Sequence, residues 1–245
     1  MNFTGNRLLD LLGPKEFARL EPHLTAEALR PNQILQNREK IIDSVYFPTN
    51  GMVSIVTVMR EGKSVEVGIT GREGMVGIPV VLGDDIAANE AVVQFPGHGL
   101  RMPANVLQQE VLASQQLRAV LLRFVQAFLN SATQSAACNR AHLLEQRLAR
   151  WLLTARDRTG GHYLPFHSRI NRDNARSAAC GRDRRGTITA IGGLIRYSHG
   201  HITIEDRTSL EAFACECYAV TKRGYERLLG FSGETETAEA LEYVR

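Results

Sequence analysis

Residues 112–158, LASQQLRAVLLRFVQAFLNSATQSAACNRAHLLEQRLARWLLTARDR, decide how this chain is read. In the first half Leu117, Val120, Leu121, Phe124, Phe128 and Leu129 recur at spacings of three and four. In the second half Leu143, Leu144, Leu148, Trp151 and Leu152 do the same. That period predicts two consecutive helices, each with an apolar stripe, broken near Cys138-Asn139 and ended by Gly160-Gly161. The first stripe is long enough to be a dimer seam as well as a cover for a barrel. Leu117, Val120, Leu121, Phe124 and Phe128 are therefore the candidate dimer-interface residues. A long helix between a β-rich segment and a basic one is a transmitter geometry; two ordinary core helices are the alternative that periodicity alone allows.

Upstream, Asn6 to Leu24 reads as a short helical entry split by Gly13-Pro14. From Gln33 to Leu100 the period becomes two. Short β-rich runs at Val45-Tyr46-Phe47, Val53 to Met59, Val65 to Ile69, Val76 to Leu82 and Ala91 to Phe95 are separated by Asn50-Gly51, Glu61-Gly62, Gly71 to Gly74, Gly83-Asp84-Asp85 and Pro96-Gly97. Strands at this spacing, with glycine turns, indicate a sandwich or jelly roll. Downstream, Leu194 to Tyr197 and Ile202 to Ile204 read as two strands of a wing with Ser198 to His201 as their turn, and Ser209 to Leu229 as one terminal helix before a polar tail.

Charge is unevenly spread. Asn139 to Tyr197 holds twelve arginines, no lysine and only Glu145, Asp157, Asp173 and Asp183 as acids, which leaves the remainder acidic on balance. Such asymmetry points to a polyanionic partner for one segment. The four cysteines, at 138, 180, 215 and 217, show no paired CxxC spacing, and Cys215 and Cys217 on one predicted helix point to different faces. This predicts neither a disulfide framework nor a zinc site, so no metal and no cofactor are expected. With no charged-then-apolar leader and no apolar run near about 18 residues, a soluble cytoplasmic protein without a membrane partner is expected. A cupin-type enzyme would need histidines and a carboxylate clustered on barrel strands. Only His98 lies there, and no nucleophile constellation, Walker loop or GxGxxG is present, so no enzyme activity is expected.

Several pieces together resemble the Crp/Fnr family of bacterial transcription regulators. They are Tyr46-Phe47-Pro48, Gly51 to Val58, the turn Gly71-Arg72-Glu73-Gly74-Met75-Val76-Gly77, Cys138-Asn139-Arg140 with Gln146 to Leu153, Gly193 to Tyr197, and Ile202-Thr203-Ile204. The resemblance implies an α+β chain. It would comprise a cyclic-nucleotide-binding-like β-roll (1–111), a dimerisation helix (112–137), a winged helix-turn-helix DNA-binding domain (138–230) and a tail (231–245). It also implies double-stranded DNA, a second copy of the chain, RNA polymerase and a small-molecule effector as partners. In cyclic-nucleotide-binding members a Gly-Glu pair holds the ribose and a following Arg holds the phosphate. The matching positions here are Gly77-Ile78-Pro79 and Ala88-Asn89-Glu90-Ala91, which supply neither the carboxylate nor the guanidinium. A buried phosphate without a cation is costly, so ordinary cAMP binding is not expected and the effector stays unassigned. The cluster-binding branch uses N-terminal cysteines, and no cysteine precedes Cys138. For a haem sensor, His23 and His98 are isolated and read as structural.

Residues 167–192 depart from the family. Their number fits a helix-turn-helix, but apolar positions to pack its two helices are almost absent before Ile188. Asn174-Ala175-Arg176 can be encoded by codons that, read one base on, give Met-Leu-Gly, the tripeptide the family places at the turn. A local reading-frame displacement, later restored, accounts for length kept with chemistry lost; a divergent basic loop is the alternative. The candidate DNA contacts are Arg182, Arg184 and Arg185 for phosphate or guanine, Thr187 and Thr189 for phosphate, and His199 and His201 at the wing tip. Two functions follow: a DNA-binding regulator of this type, or an effector-sensing or interaction module that has lost sequence-specific DNA binding.

Overall fold

Asn6 begins the chain's architecture. The computed structural model describes residues 4–60, 62, 64–160, 163–165, 193–198 and 200–231. The side-chain oxygen of Asn6 caps the first helix, α1 (Arg7–Asp10), accepting from Leu8 and Leu9 N–H at 3.1 Å each. Its amide donates to the Pro48 and Gly74 carbonyls at 2.7 and 2.9 Å, so a fully buried side chain pins the N-terminus to the roll. Gly13 caps α2 (Pro14–Leu20), which has proline in its first turn.

Ten strands follow among the described residues, all paired antiparallel. One sheet of the roll has the order β1 (Thr25–Leu29), β7 (Gly97–Pro103), β3 (Ser44–Pro48). The other has β2 (Ile34–Gln36), β6 (Glu90–Phe95), β4 (Met52–Val58), β5 (Ser64–Thr70). Leu29, Tyr46, Val53, Val76, Ala91 and Val93 fill the roll's interior. The predicted β run Val76 to Leu82 is instead mostly helix, α3 (Ile78–Leu82). Gly77, at φ +106°, turns the chain into it, and Pro79 sits in its first turn; an apolar run this short has no period to distinguish the two. The period-two signal also missed β1, β2 and β7, whose side chains alternate weakly.

After α4 (Ala104–Ala113), Ser114 caps α5 (Gln115–Ala141), its hydroxyl accepting from Leu117 N–H at 3.2 Å. The break to α6 (Leu144–Thr159) falls at His142-Leu143, where the backbone is extended, and not at Cys138-Asn139; Cys138 is still helical. Gly160, at φ +68°, ends α6. The wing is a three-stranded sheet, β8 (Tyr163–Pro165), β10 (His201–Ile204), β9 (Ile195–Ser198), with β10 central. The terminal helix is two helices, α7 (Arg207–Phe213) and α8 (Cys217–Leu229), separated at residues 214–216. Residues 167–192, the segment that departs from the family, lie outside the described residues.

Candidate functional site

Chemistry-bearing side chains gather in the roll, at its junction with the C-terminal elements, in the wing and at the end of α5.

In the roll, the position matching the Glu of the family's Gly-Glu pair, in what is termed the phosphate cassette, is Ile78, the first residue of α3, packed on the helical core. The stretch matching the family's arginine is Ala88-Asn89-Glu90-Ala91, in which the Asn89 oxygen accepts from the Thr57 hydroxyl at 2.8 Å. The interior cluster is aliphatic apart from Tyr46. It offers an anion no compensating charge, and desolvating a phosphate against it is unfavourable.

The junction is built around the turn of residues 71–77. Gly74 lets α5 approach so closely that a Cβ there would collide with the Phe124 ring. The Arg7 N–H donates to the Arg72 carbonyl at 2.7 Å, and the Arg72 N–H donates to the Arg158 carbonyl of α6 at 3.3 Å. Arg158 enters the turn from α6, ion-pairs with Glu73, and donates to the Ile69 carbonyl at 2.8 Å. Its guanidinium also lies 4.8 Å from the Tyr225 ring centroid, on α8. Both Oε atoms of Glu73 accept from Gly71 N–H at 3.2 Å. Burial lowers the Arg158 pKa, but Glu73 and Tyr225 outweigh it and the net shift is upward, which keeps Arg158 charged. One turn, adjoining the cassette helix α3, thus holds α1, α5 and α6 together.

Beside it, Trp151 of α6 donates its indole N–H to Glu66 Oε1 on β5 at 2.9 Å. The Ser54 hydroxyl lies 2.7 Å from Glu66 Oε2 and 2.6 Å from the Gln94 amide oxygen. A hydroxyl has one proton to give. Both contacts are satisfied when Glu66 is protonated, or when the Gln94 amide turns its NH2 towards Ser54. Burial pushes the Glu66 carboxyl up to about 7, against the pull of Ser54 and Trp151. The residue keeps some solvent contact, which softens the shift.

The predicted dimer-interface residues do not face outward. Leu117, Val120, Leu121 and Phe124 are each at most 2% exposed, packed on the roll and the N-terminal helices, and Phe128 packs against the same core. Periodicity identifies a buried stripe but not what buries it; here it is the chain's own roll. The opposite face of α5 exposes Leu122 at 43% and Leu129 at 54%. Of the predicted DNA contacts, Arg182, Arg184, Arg185, Thr187, Thr189 and His199 lie outside the described residues. His201 is exposed at the start of β10, beside Ser198 and Pro165. The expectation for the cysteines also needs correction: because Cys215 precedes α8 instead of lying within a continuous helix, Cys138, Cys215 and Cys217 cluster, with His142 beside them.

This geometry is shared with known proteins. Residues 26–114 match the family model of the cyclic nucleotide-binding domain. The fold is that of Crp/Fnr-type regulators. FixK2 from Bradyrhizobium japonicum is similar at 13% identity and TM-score 0.64, covering 78% of this chain and 98% of its own. The c-di-GMP responsive global regulator CLP from Xanthomonas campestris gives 14% and 0.59, covering 78% of this chain and 99% of its own. A putative Crp/Fnr-family transcriptional regulator from Eubacterium rectale gives 15% and 0.59, covering 84% of this chain and 96% of its own. No curated protein sequence matches. No helix among the described residues is long and apolar enough to cross a membrane.

Proposed function

We propose that this protein is a homodimeric DNA-binding transcription regulator of the Crp/Fnr type. Its β-roll takes a small effector other than a conventionally bound cyclic nucleotide. The observation that carries the reading is the Arg158–Glu73 clasp, which couples the turn next to the cassette helix to the helix leading into the winged sheet. A signal that moves α3 has a rigid route to the wing. The second copy sits on the exposed stripe of α5, where Ala119, Leu122, Gln126, Leu129, Thr133 and Ala136 repeat at alternating spacings of three and four. DNA is contacted by the wing tip, His199 and His201, and by Arg182, Arg184, Arg185, Thr187 and Thr189. RNA polymerase is the further partner, in the cytoplasm, and no catalysis is involved.

Selection from random duplexes at matched salt tests this. Enrichment of a two-fold symmetric site supports the regulator. A steep fall of affinity with salt and no sequence ranking supports a sensor module that has lost specific reading, which the shortage of apolar positions in 167–192 favours. Restoring the alternative frame between Phe166 and Gly193 then produces sequence preference. Calorimetric titration with cAMP is expected to show no saturable heat at low micromolar concentration; a stoichiometric signal refutes the effector part of the proposal.

A further inference from the structure

Four side chains that the regulator reading leaves unused meet at the end of α5. Cys138 lies in its last turn and His142 caps it, one helical turn apart. Cys215 lies in the link between α7 and α8, and Cys217 is the first residue of α8. The three thiols are buried in one cluster. The three sulfurs and one imidazole nitrogen all lie within 4.8 Å of one another. The Cys138 and Cys215 sulfurs are 3.5 Å apart, and Cys217 Sγ is 3.6 Å from His142 Nδ1.

Those spacings are informative. Zinc–sulfur bonds of about 2.3 Å and zinc–nitrogen bonds of about 2.0–2.1 Å put neighbouring ligand atoms of a tetrahedron about 3.5–3.8 Å apart. A disulfide closes at about 2.05 Å and would leave Cys217 and His142 unexplained. A four-iron cluster places its own irons and sulfides between the ligand sulfurs and needs them spread wider. The surroundings also suit a metal. Glu216 Oε1 lies 3.1 Å from His142 Nε2, so that nitrogen donates to the carboxylate and Nδ1 turns its lone pair to the thiols. The Gln134 amide lies 3.0 Å from Cys217 Sγ, a donor to a thiolate, and Cys217 at the N-terminus of α8 gains from the helix dipole.

We propose that Cys138, His142, Cys215 and Cys217 form a closed tetrahedral site for one thiophilic divalent ion of the zinc type, with Glu216 orienting His142. With four protein ligands and no open position, the ion is structural. It ties the start of α8 to the end of α5 and fixes the His142-Leu143 break from which α6 departs. The inference stands whether or not the chain reads DNA. Binding displaces the thiol protons, so affinity falls at low pH.

The test uses the full-length protein, reduced and stripped of metal, titrated with cobalt(II) and then with zinc. One cobalt per chain is expected, with the intense visible bands of a tetrahedral ion and a thiolate-to-cobalt charge-transfer band, both abolished by one equivalent of zinc. Cys180→Ser removes the remaining cysteine and leaves the spectrum intact. Cys215→Ser loses stoichiometric binding. Glu216→Gln keeps the band shape but weakens affinity about 10–100-fold. Weak octahedral bands, saturation below one ion per chain, or loss of the spectrum in Cys180→Ser would overturn the proposal. Because the spectra of the wild type and Cys180→Ser decide the outcome, misfolding of Cys215→Ser does not affect it.

Discussion

Replacing Glu73 by Gln leaves a guanidinium stranded. Arg158 is 4% exposed and Glu73 7%, so both charges are withdrawn from water. What remains for Arg158 after the change is the Ile69 carbonyl at 2.8 Å, the Tyr225 ring and a neutral amide oxygen in place of the carboxylate. Breaking a buried pair by removing one partner costs about 3–5 kcal/mol. Glutamine keeps an acceptor oxygen near Arg158, which places this variant at about 3 kcal/mol, the lower end of that range. For a chain of this size that corresponds to a fall in Tm of about 6–12 °C. Arg158→Met costs less, because the Glu73 carboxylate keeps the Gly71 N–H. The double variant recovers part of the loss, with a coupling energy of about 2–3 kcal/mol. The assay is urea unfolding followed by Trp151 fluorescence and far-ultraviolet circular dichroism in parallel. Trp151 is the only tryptophan and lies at this junction, so its emission reports separation of α6 from the roll. If Glu73→Gln and Arg158→Met are additive within about 0.5 kcal/mol, the clasp does not hold the junction and the reasoning fails.

Three further outcomes are expected. The double variant Leu122→Glu, Leu129→Glu yields folded monomers by analytical ultracentrifugation, whereas Leu121→Glu unfolds the core; a wild type that sediments as a monomer at micromolar concentration refutes the dimer. Glu66 has its pKa raised in the folded chain from 4.5 to about 7, so its favourable contribution is complete below pH 4.5 and is lost as pH rises through about 7. Trp151 emission therefore titrates near neutrality and Glu66→Gln removes the titration; an unchanged profile in that variant assigns the change elsewhere. Gly74→Ala drives a methyl into the Phe124 ring and costs about 1–3 kcal/mol; calorimetric unfolding at the wild-type temperature would show that α5 can give way.

The roll, the long helix and the wing were legible because their signals are local: period two with glycine turns, period three to four, and two short apolar runs around a turn. What was not legible depends on partners distant in sequence. The stripe Leu117 to Phe124 has one period whether a second chain or the roll covers it. The turn of residues 71–77 reads as a turn, but nothing local shows that Glu73 awaits Arg158, 85 residues on. The cysteine cluster was hidden by a helix break at residues 214–216, where neither glycine nor proline marks the stop. A Cys-x-Cys step on a continuous helix diverges, whereas across a link into a helix start it converges.

The strength of the clasp constrains how a signal crosses the junction in the proposed regulator. Effector coupling in allosteric proteins is about 1–3 kcal/mol, less than the roughly 3–5 kcal/mol needed to break a buried ion pair. An effector that reshapes α3 therefore cannot release Arg158 from Glu73. It must move the 71–77 turn and α6 as one body, through the hydrogen bond between Arg72 N–H and the Arg158 carbonyl as well as the ion pair. The compliance then lies where the backbone is extended and free of helix, at His142-Leu143. That break is where the proposed metal ligand His142 stands, so the ion decides how far α6 can swing about the end of α5. Stripping the metal should leave the Glu73–Arg158 coupling energy unchanged while increasing proteolytic cleavage at residues 141–143. A fall in that coupling on metal removal would show instead that the two devices are one.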